Sequence, residues 1–375
     1  MCRRRDSNSH GLPHTILSRA RIPFRHSGNI HIILKCSDLR RYGTDVPAYH
    51  FATPASAANI REGGQNVYNT PAMENKQKVL VIVGPTSSGK SALAVALARK
   101  FNGEVISADS RQVYRGLDIG TGKITKREMK GIPHHLLDVA SPKKTFSADD
   151  YMKLARKKIV DISSRGKLPI VAGGTGFYID TLVGRVALPN VPPNPKLRAQ
   201  LDKKSAAQLF AMLKKRDPRR AKLMNTPSER NNKVRLIRAL EISYALGRVP
   251  MFDLRSRTYD ALWMGIAPPI DKLEKKITIR LFARIGRSMI TEAKRLHKAG
   301  LSYKRMEELG LEYRALASLL QGRITQEQMI EELNHAIRRY AKRQIVYWKR
   351  NKDIVWFKEP KMFRISKAVR GWLKI

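Results

Sequence analysis

The sequence has 375 residues, 42% of them apolar, which is enough for one large domain with an insertion or for two modest domains. Its 73 lysine and arginine residues against 31 acidic residues give a formal charge of +42, which favours a polyanionic partner, most commonly nucleic acid, over a membrane surface. It contains no apolar run of about 18 residues, which excludes a membrane-spanning helix.

Residues 1–75 show neither the period of a helix nor that of a strand. They mix arginine, histidine, serine and glycine, so we predict a disordered leader. Such an arginine-rich, acid-poor segment is also typical of a targeting presequence, and a mis-assigned start with Met73 as the true first residue is the other interpretation. The two cysteines, Cys2 and Cys36, lie in this leader and give neither a disulfide framework nor a zinc site, which favours a reducing, intracellular setting.

Strand and helix patterns alternate over residues 76–187. The apolar run VLVIV is typical of a buried parallel strand, and the residues from Lys90 onward have helical spacing. A second strand, GEVISADS, precedes a helix that begins with a capping-box pattern of Ser147 and Asp150. The stretch LPIVAGGTGFYIDTL adds a third strand, a glycine turn and a helix. This order predicts an α/β fold with a parallel-sheet core.

Four prolines in the stretch ALPNVPPNPK interrupt this alternation. The residues that follow have helical patterns, with Ser205 as the cap of one helix and a second helix over residues 228–247. We therefore predict a helical insertion at 188–249, and a second part of the core at 250–375.

The second part of the core begins with a predicted strand, ALWMGIAP. Long basic helices are predicted at Asp271–Lys298, Leu311–Leu320 and Gln326–Lys349, the last of them behind a Thr325 cap. The segment DIVWF predicts a final strand.

The segment GPTSSGKS lies between a predicted strand and a predicted helix and matches the phosphate-binding P-loop motif. Its backbone N–H groups and the helix N-terminus would bind phosphate oxygens, while Lys90 adds a positive charge and Ser91 a hydroxyl ligand for Mg²⁺. The residues predicted to bind a di- or triphosphate are Gly84, Pro85, Thr86, Ser87, Ser88, Gly89, Lys90 and Ser91. Together with the alternating strands and helices, this motif predicts a P-loop NTPase-like α/β fold with a helical insertion. The motif does not select the chemistry.

One acid, Asp109, lies at the end of the second predicted strand, whereas the strand LPIVAGG ends without an acid. A P-loop NTPase normally places a second acid at a strand end to hold Mg²⁺. Asp109 is therefore a candidate metal ligand or general base. An aspartate followed by serine is equally typical of a turn or a helix cap.

Six segments in order resemble the tRNA dimethylallyltransferases, also called tRNA isopentenyltransferases: GPTSSGKS, SADSRQVYRGLDIGTGK, IPHHLLD, PIVAGGTGFYIDTL, RLIRALEI and YAKRQIVYWKR. The similarity extends from Val79 to Phe357, and no cysteine follows Cys36, so the chain resembles the bacterial type without a zinc finger. The resemblance implies that the P-loop holds the diphosphate of dimethylallyl diphosphate. It implies transfer of the dimethylallyl group to N6 of the adenosine beside the anticodon of tRNA, position 37, with Mg²⁺ as cofactor. We expect a cytoplasmic monomer that binds the anticodon stem-loop and no membrane.

The resemblance also implies roles for individual residues. Asp109 is similar to the general base that removes a proton from the adenine N6 amine, and the catalytic set implied with it includes Lys90 and Thr175. Arg280 resembles an arginine that helps to neutralise the diphosphate. The residues implied in tRNA binding are Asp109, Ser110, Arg111, Gln112, Thr175, Arg198, Val234, Arg235, Leu236, Ile237 and Arg238. The segment EELG departs from the usual IGY of the family, which leaves the substrate contacts there open.

The basic segment RRYAKRQIVYWKRNK combines charges with aromatic residues. Its charges favour contact with nucleic-acid phosphates, whereas helical spacing favours the core for Tyr340, Tyr347 and Trp348. His134 and His135 have no second ligand pair at a metal-binding spacing, so we interpret them as structural or adjacent to substrate.

Two other functions stay open at this point. A small-molecule or nucleoside kinase would use the same P-loop with ATP, but it leaves the basic charge unexplained. A non-catalytic RNA-binding protein would explain the charge, but the intact Lys90, Ser91 and Asp109 argue against it.

Overall fold

A six-stranded parallel sheet forms the centre of the fold. The computed structural model describes residues 76–250 and 258–375, so the predicted leader lies outside the described residues. Along the chain the strands are β1 (Lys78–Val83), β2 (Gly103–Ala108), β3 (His134–His135), β4 (Leu168–Gly173), β5 (Asp260–Ile266) and β6 (Val355–Phe357). Their order across the sheet is β3-β2-β4-β1-β5-β6, and every pairing is parallel. The predicted α/β fold with a P-loop NTPase-like parallel sheet is therefore confirmed.

Helices cover both faces of the sheet and extend beyond it. Within the described ranges they are α1 (Lys90–Lys100), α2 (Lys126–Met129), α3 (Ala148–Ser164), α4 (Gly176–Leu182), α5 (Pro195–Asp202), α6 (Ala206–Arg216), α7 (Pro218–Leu223), α8 (Pro227–Arg230), α9 (Lys233–Leu246), α10 (Ile270–Gly286), α11 (Met289–Lys298), α12 (Tyr303–Leu309), α13 (Leu311–Leu320), α14 (Gln326–Lys349) and α15 (Met362–Leu373). No helix in this described part of the chain is long and apolar enough to cross a membrane.

Alternate residues of β1 pack on opposite faces of the sheet. Val79, Val81 and Val83 lie in the cluster that contains α3, α4 and the end of α14, whereas Leu80 and Ile82 lie with α1 and α15. All five side chains are fully buried. A central parallel strand that is covered on both faces reads as a continuous apolar run, which is the pattern seen in the sequence.

Two further clusters of buried side chains lie beside the sheet. Helices α10 to α14 pack around residues that include Leu281, Tyr313 and Leu333. Helices α5, α6, α7 and α9 pack around their own small core, which includes Leu209 and Leu240. The helices of the predicted insertion thus have a core of their own, while its limits at 188–249 stay a prediction.

Three predicted helix starts are confirmed. Ser147, Ser205 and Thr325 each accept a hydrogen bond from the backbone N–H three residues on, and the side chain at that position bonds back to the capping residue. These capping boxes are local, so the sequence alone reveals them.

Two predicted continuous helices are wrong. The helix expected at Asp271–Lys298 is divided into α10 and α11, because Ser288 has a left-handed φ of 69° that a right-handed helix does not tolerate. The helix expected at 228–247 is divided too, since Asn232 caps a new helix by accepting a hydrogen bond from Arg235 N at 3.0 Å.

Candidate active site

A cleft of about 310 Å³ opens at the carboxyl edge of the sheet. Strands β1, β2 and β4 end in register at Val83, Ala108 and Gly173. The residues that follow these strands therefore meet at one edge, where parallel α/β sheets bind their ligands. They are the P-loop, Asp109 and Gly174, so the cleft joins the predicted phosphate cradle to the predicted general base.

Most of the predicted core site residues line this cleft. Those on its surface are Thr86, Ser87, Lys90, Ser91, Asp109, Ser110, Arg111, Gln112 and Arg280. Five other predicted core site residues do not line the cleft: Gly84, Pro85, Ser88, Gly89 and Thr175. The tRNA-binding candidates Arg198 and 234–238 are on helices α5 and α9 and do not line the cleft.

Glycines give the P-loop its shape. Gly84 has a φ of 148°, and a Cβ atom there would lie 2.4 Å from Ile266 O, so only glycine fits. Gly89 has a φ of 99° and precedes α1 without a side-chain cap. The first N–H groups of α1 have no helical acceptor, so they are available to phosphate oxygens.

Lys90 lies in the cleft between the P-loop and Asp109. Its ammonium group donates a hydrogen bond to Pro85 O at 2.6 Å. Burial lowers the pKa of Lys90 to about 8, the charge of Asp109 opposes this shift, and Arg280 adds to it. An anion that binds in the cleft would therefore interact strongly with the poorly solvated Lys90 ammonium group.

Asp109 holds the turn that follows β2. Its Oδ1 accepts hydrogen bonds from Arg111 N at 2.8 Å and Gln112 N at 3.3 Å. This is the turn role that the sequence left open, and it is compatible with a base role, because a carboxylate has two oxygens and about four acceptor positions. Thr175 Oγ1 accepts from Ser110 N at 3.0 Å and so supports the same turn.

Gln344 was missed by the sequence analysis and is central to the site. The side chain comes from α14, is 6% exposed, and bonds to the backbone of both Thr86 and Gly174. Thr86 was predicted to bind diphosphate, but its N–H is engaged by Gln344. No local pattern identifies Gln344, because both partners are far away along the chain.

Arg280 is positioned by a loop that a buried acid holds. Arg280 Nη2 donates to Gly122 O at 2.7 Å. Upstream in this loop, Glu292 accepts hydrogen bonds from three successive backbone N–H groups, residues 118–120, at 2.8–3.0 Å, and from the Tyr313 hydroxyl at 2.7 Å. Glu292 was also missed, although an acid on the apolar face of a helix was a readable signal.

The two histidines form the edge strand β3. His135 Nε2 lies 2.7 Å from the buried Glu104 carboxylate, which Arg165 and Lys167 also contact. Hydrogen bonding, first from Arg165, keeps the pKa of Glu104 well below its usual range despite burial. His134 lines the cleft. Among the described residues no group of three or more His, Cys, Asp or Glu side chains could hold a metal ion.

Two predicted tRNA-binding arginines share one buried acid in the insertion. Glu241, whose side chain is 1% exposed, accepts from Arg198 Nε at 2.9 Å and Nη2 at 2.8 Å, and also from Arg238. Arg238 donates in addition to Val191 O at 2.8 Å. These arginines therefore tie the helices of the insertion together.

The rest of the predicted segment on α9 has two different faces. The side chains of Leu236 and Ile237 are buried in the core of the insertion, whereas Val234 is 79% exposed. The Arg235 side chain is 61% exposed, with only a 3.8 Å contact to Glu229. Contact of this segment with tRNA stays a prediction, and Val234 and Arg235 form the face that is free to make it.

The aromatic residues of α14 divide in the same way. Trp348 is buried against the sheet, and Tyr347 packs beside it and donates to Asp180, so their prediction as core residues is confirmed. The prediction is wrong for Tyr340, which lines the cleft together with Arg343. Tyr340 lies about two helical turns before Tyr347, in the stretch of α14 that lines the cleft, whereas the end of α14 packs on the sheet.

The parallel sheet, the P-loop and the strand-end aspartate define a P-loop α/β enzyme that acts on a phosphorylated or diphosphorylated substrate. A family model described as IPP transferase matches residues 112–352. A tRNA dimethylallyltransferase of Anoxybacillus flavithermus is 38% identical over 286 residues, covering 75% of this chain and 90% of the relative. The chain belongs to the tRNA dimethylallyltransferase family.

Other relatives and solved structures agree with this assignment. The Bacillus subtilis tRNA dimethylallyltransferase is 36% identical over 75% of this chain and 91% of its own length. The tRNA isopentenylpyrophosphate transferase of Bacillus halodurans matches with a TM-score of 0.60 and 35% identity, covering 80% of this chain and 97% of the other. A eukaryotic dimethylallyltransferase acting on tRNA matches with a TM-score of 0.66 and 28% identity, covering 75% and 73%. The resemblance stated from the motifs is thus confirmed, and a kinase is not favoured.

Proposed function

We propose that this chain transfers a dimethylallyl group from dimethylallyl diphosphate to N6 of the adenosine beside the anticodon of tRNA. The observation that carries the proposal is a single cleft in which Lys90 of the P-loop interacts with Asp109. A diphosphate bound by the first would bring its allylic carbon towards the second. An acid that is positioned for proton removal has no evident use in a site that only grips an anion.

At the donor end, the protein stabilises a departing diphosphate. Allylic diphosphates ionise readily, so the main requirement is to hold the negative charge that develops on the leaving group. The P-loop N–H groups, Lys90 and Arg280 supply fixed positive charge and dipoles there.

The residues present fit a bound Mg²⁺ ion. The Ser91 hydroxyl is exposed in the first turn of α1 and lines the cleft. Mg²⁺ usually binds through one or two protein ligands together with substrate phosphate oxygens, so the lack of a larger ligand cluster in the described residues suits it. Ser91 would hold the ion, which would add further neutralisation of the diphosphate.

At the acceptor end, Asp109 removes the proton. The N6 amine of adenine is a weak nucleophile because its lone pair is delocalised into the ring. As the N6–C1 bond forms, the C1–O bond breaks, its electron pair leaves with the diphosphate, and an N6 proton passes to Asp109. The adenine has to leave its stack to reach this site, and Arg111, Gln112 and Tyr340 line the space it would enter.

The binding of tRNA is assigned to the basic surface and to the insertion, and the anticodon stem-loop is the proposed contact. Arg235 and Val234 supply the free face of α9, and the charge of +42 supplies long-range attraction. The monomeric state and the cytoplasmic location stay predictions.

The test is transfer of label from radioactive dimethylallyl diphosphate to bulk tRNA by the purified protein. Label is expected in a single adenosine derivative after nuclease digestion. A parallel reaction with ATP labelled at the γ-phosphate, offered with nucleosides and with tRNA, serves as the control for a kinase. Phosphate transfer without prenyl transfer would overturn the proposal.

A further inference from the structure

One side chain connects the donor end of the cleft to its acceptor end. Gln344 Oε1 accepts a hydrogen bond from Thr86 N at 2.8 Å, and Gln344 Nε2 donates to Gly174 O at 2.9 Å. The partners lie 258 and 170 residues away along the chain. Both polar ends of the buried amide are thus engaged by the backbone on either side of the cleft.

Gly174 is shaped to admit this amide. A Cβ atom on Gly174 would lie 2.2 Å from Gln344 Nε2, while the next atoms, Gln344 Cδ and Gly84 O, are 3.4 Å and 3.8 Å away. Gly174 does not have a positive φ, so its backbone conformation alone would accept an alanine. The close approach of Gln344 is therefore what requires glycine here.

The connection continues to the proposed base. Gly174 precedes Thr175, whose hydroxyl oxygen accepts from Ser110 N at 3.0 Å, and Ser110 follows Asp109 in the turn. On the other side, Thr86 belongs to the P-loop. A shift of Gln344 would therefore change the distance between the diphosphate site and the Asp109 carboxylate.

We propose that Gln344 is a positioning residue that sets the spacing between the P-loop and the Asp109 turn, so that the allylic carbon and the adenine N6 are aligned for transfer. A displacement of about 1 Å in such an arrangement can cost about 10²-fold in rate without loss of binding. The inference rests on the proposed function, since it needs two substrates that react across this spacing.

Two substitutions separate positioning from packing. Gln344→Met keeps a similar length and volume but removes both hydrogen bonds, whereas Gln344→Glu keeps the acceptor for Thr86 N and removes the donor to Gly174 O. Gln326→Glu, at an exposed position in the first turn of the same helix, is the matched control. The measurements are the dissociation constants of dimethylallyl diphosphate and of tRNA, the melting temperature, and the single-turnover rate with both substrates saturating.

The expected result is a rate lower by about 10²-fold in both Gln344 variants, with both dissociation constants close to wild type and with Gln326→Glu fully active. A purely structural role would lower the melting temperature but leave the rate of the folded protein unchanged. That outcome, or a rate loss that higher donor concentration restores, would overturn the inference. A wild-type protein without prenyl transfer would instead overturn the proposed function, and this inference with it.

A double-mutant cycle tests the same contact independently. Gly174→Ala alone should displace the amide and lower the rate, because its Cβ would clash with Gln344 Nε2. In a Gln344→Ala background that clash is absent, so the same change should cost little more. Fully additive effects would show that Gly174 and Gln344 act independently, and would overturn the inference.

Discussion

At the scale of single residues, the cleft places a weakly solvated cation beside a carboxylate. Burial lowers the pKa of Lys90 to about 8, which puts its titration within reach of an ordinary experiment. A bound diphosphate favours the charged amine and raises its pKa. Below pH 8 the amine is already charged, whereas above it binding requires uptake of a proton.

We therefore expect the affinity for dimethylallyl diphosphate, measured without tRNA, to fall as the pH rises from about 7 to about 9.5, because the free amine loses its proton over that interval. Calorimetry in buffers of different ionisation enthalpy should show proton uptake on binding at the alkaline end. Lys90→Arg is the matched variant: its guanidinium stays charged, so its affinity, whatever its level, should depend little on pH. If the affinity of both proteins falls equally with rising pH, a group other than Lys90 is titrating.

The substitution Asp109→Asn distinguishes the role of Asp109 in the turn from its proposed role in proton transfer. The amide oxygen can still accept from Arg111 N and Gln112 N, so the fold and the melting temperature should be preserved. The single-turnover rate should fall by about 10²–10⁴-fold, the usual range for a general base. Donor affinity with and without Mg²⁺ is the control, since a metal ligand at this position would lose the Mg²⁺-dependent part. A variant with the full single-turnover rate would show that Asp109 only stabilises the turn and does not act as the base.

The P-loop could be predicted because its consecutive residues have a spacing with one structural meaning, and Asp109 could be placed at a strand end because an apolar run precedes it. The base role of Asp109 is implied only by the family resemblance and stays a prediction. Gln344 and Tyr340 could not be predicted, because their roles depend on what lies opposite them after folding. Glu292, an acid on the apolar face of a helix, was a readable signal that was missed. Glutamine on a helix is unremarkable until Thr86 and Gly174 are found beside it.

At the scale of elements, long helices were predicted well where their caps are local. The ends of α13 and α14 agree with the prediction, while the break between α10 and α11 was missed although Gly286, the last residue of α10, was a readable signal. The break before α9 was readable in principle, since the Asn231–Asn232 pair is a typical helix start. Both missed breaks therefore lie at residue types, glycine and asparagine, that favour helix ends.

Two arginines of the insertion, Arg235 and Arg238, should differ in how replacement by alanine affects stability. Arg235→Ala should weaken tRNA binding and reduce the slope of log Kd against log salt by about 1, with an unchanged melting temperature, because its side chain is largely exposed. Arg238→Ala should also lower the melting temperature, because it removes a partner of the buried Glu241.

Arg156→Ala on α3, outside the insertion, is the control for the loss of one exposed charge. Donor affinity should be unchanged in all three variants. If Arg235→Ala and Arg156→Ala alter tRNA binding equally, the effect comes from net charge and α9 is not a specific contact.

At the scale of the whole molecule, the charge of +42 should dominate the binding of tRNA. An interface with several phosphate contacts loses about 10³-fold or more in affinity between about 50 and 200 mM salt, because condensed counterions are released. We expect this dependence for tRNA in filter-binding titrations, and a much weaker one for dimethylallyl diphosphate, which contacts a small, partly buried site. If the affinity for tRNA does not change with salt concentration, binding is not dominated by electrostatic contacts with phosphates.

The distance along the chain between the P-loop and its partners has a consequence for synthesis. The ribosome releases the P-loop early, but the carbonyl of Ile266 against which Gly84 packs, and the Gln344 amide that engages Thr86, are translated much later. A nascent chain that ends before α14 therefore contains the complete phosphate-binding motif without the cleft that the motif serves. Competence for the reaction therefore arises only when nearly all of the chain has been translated.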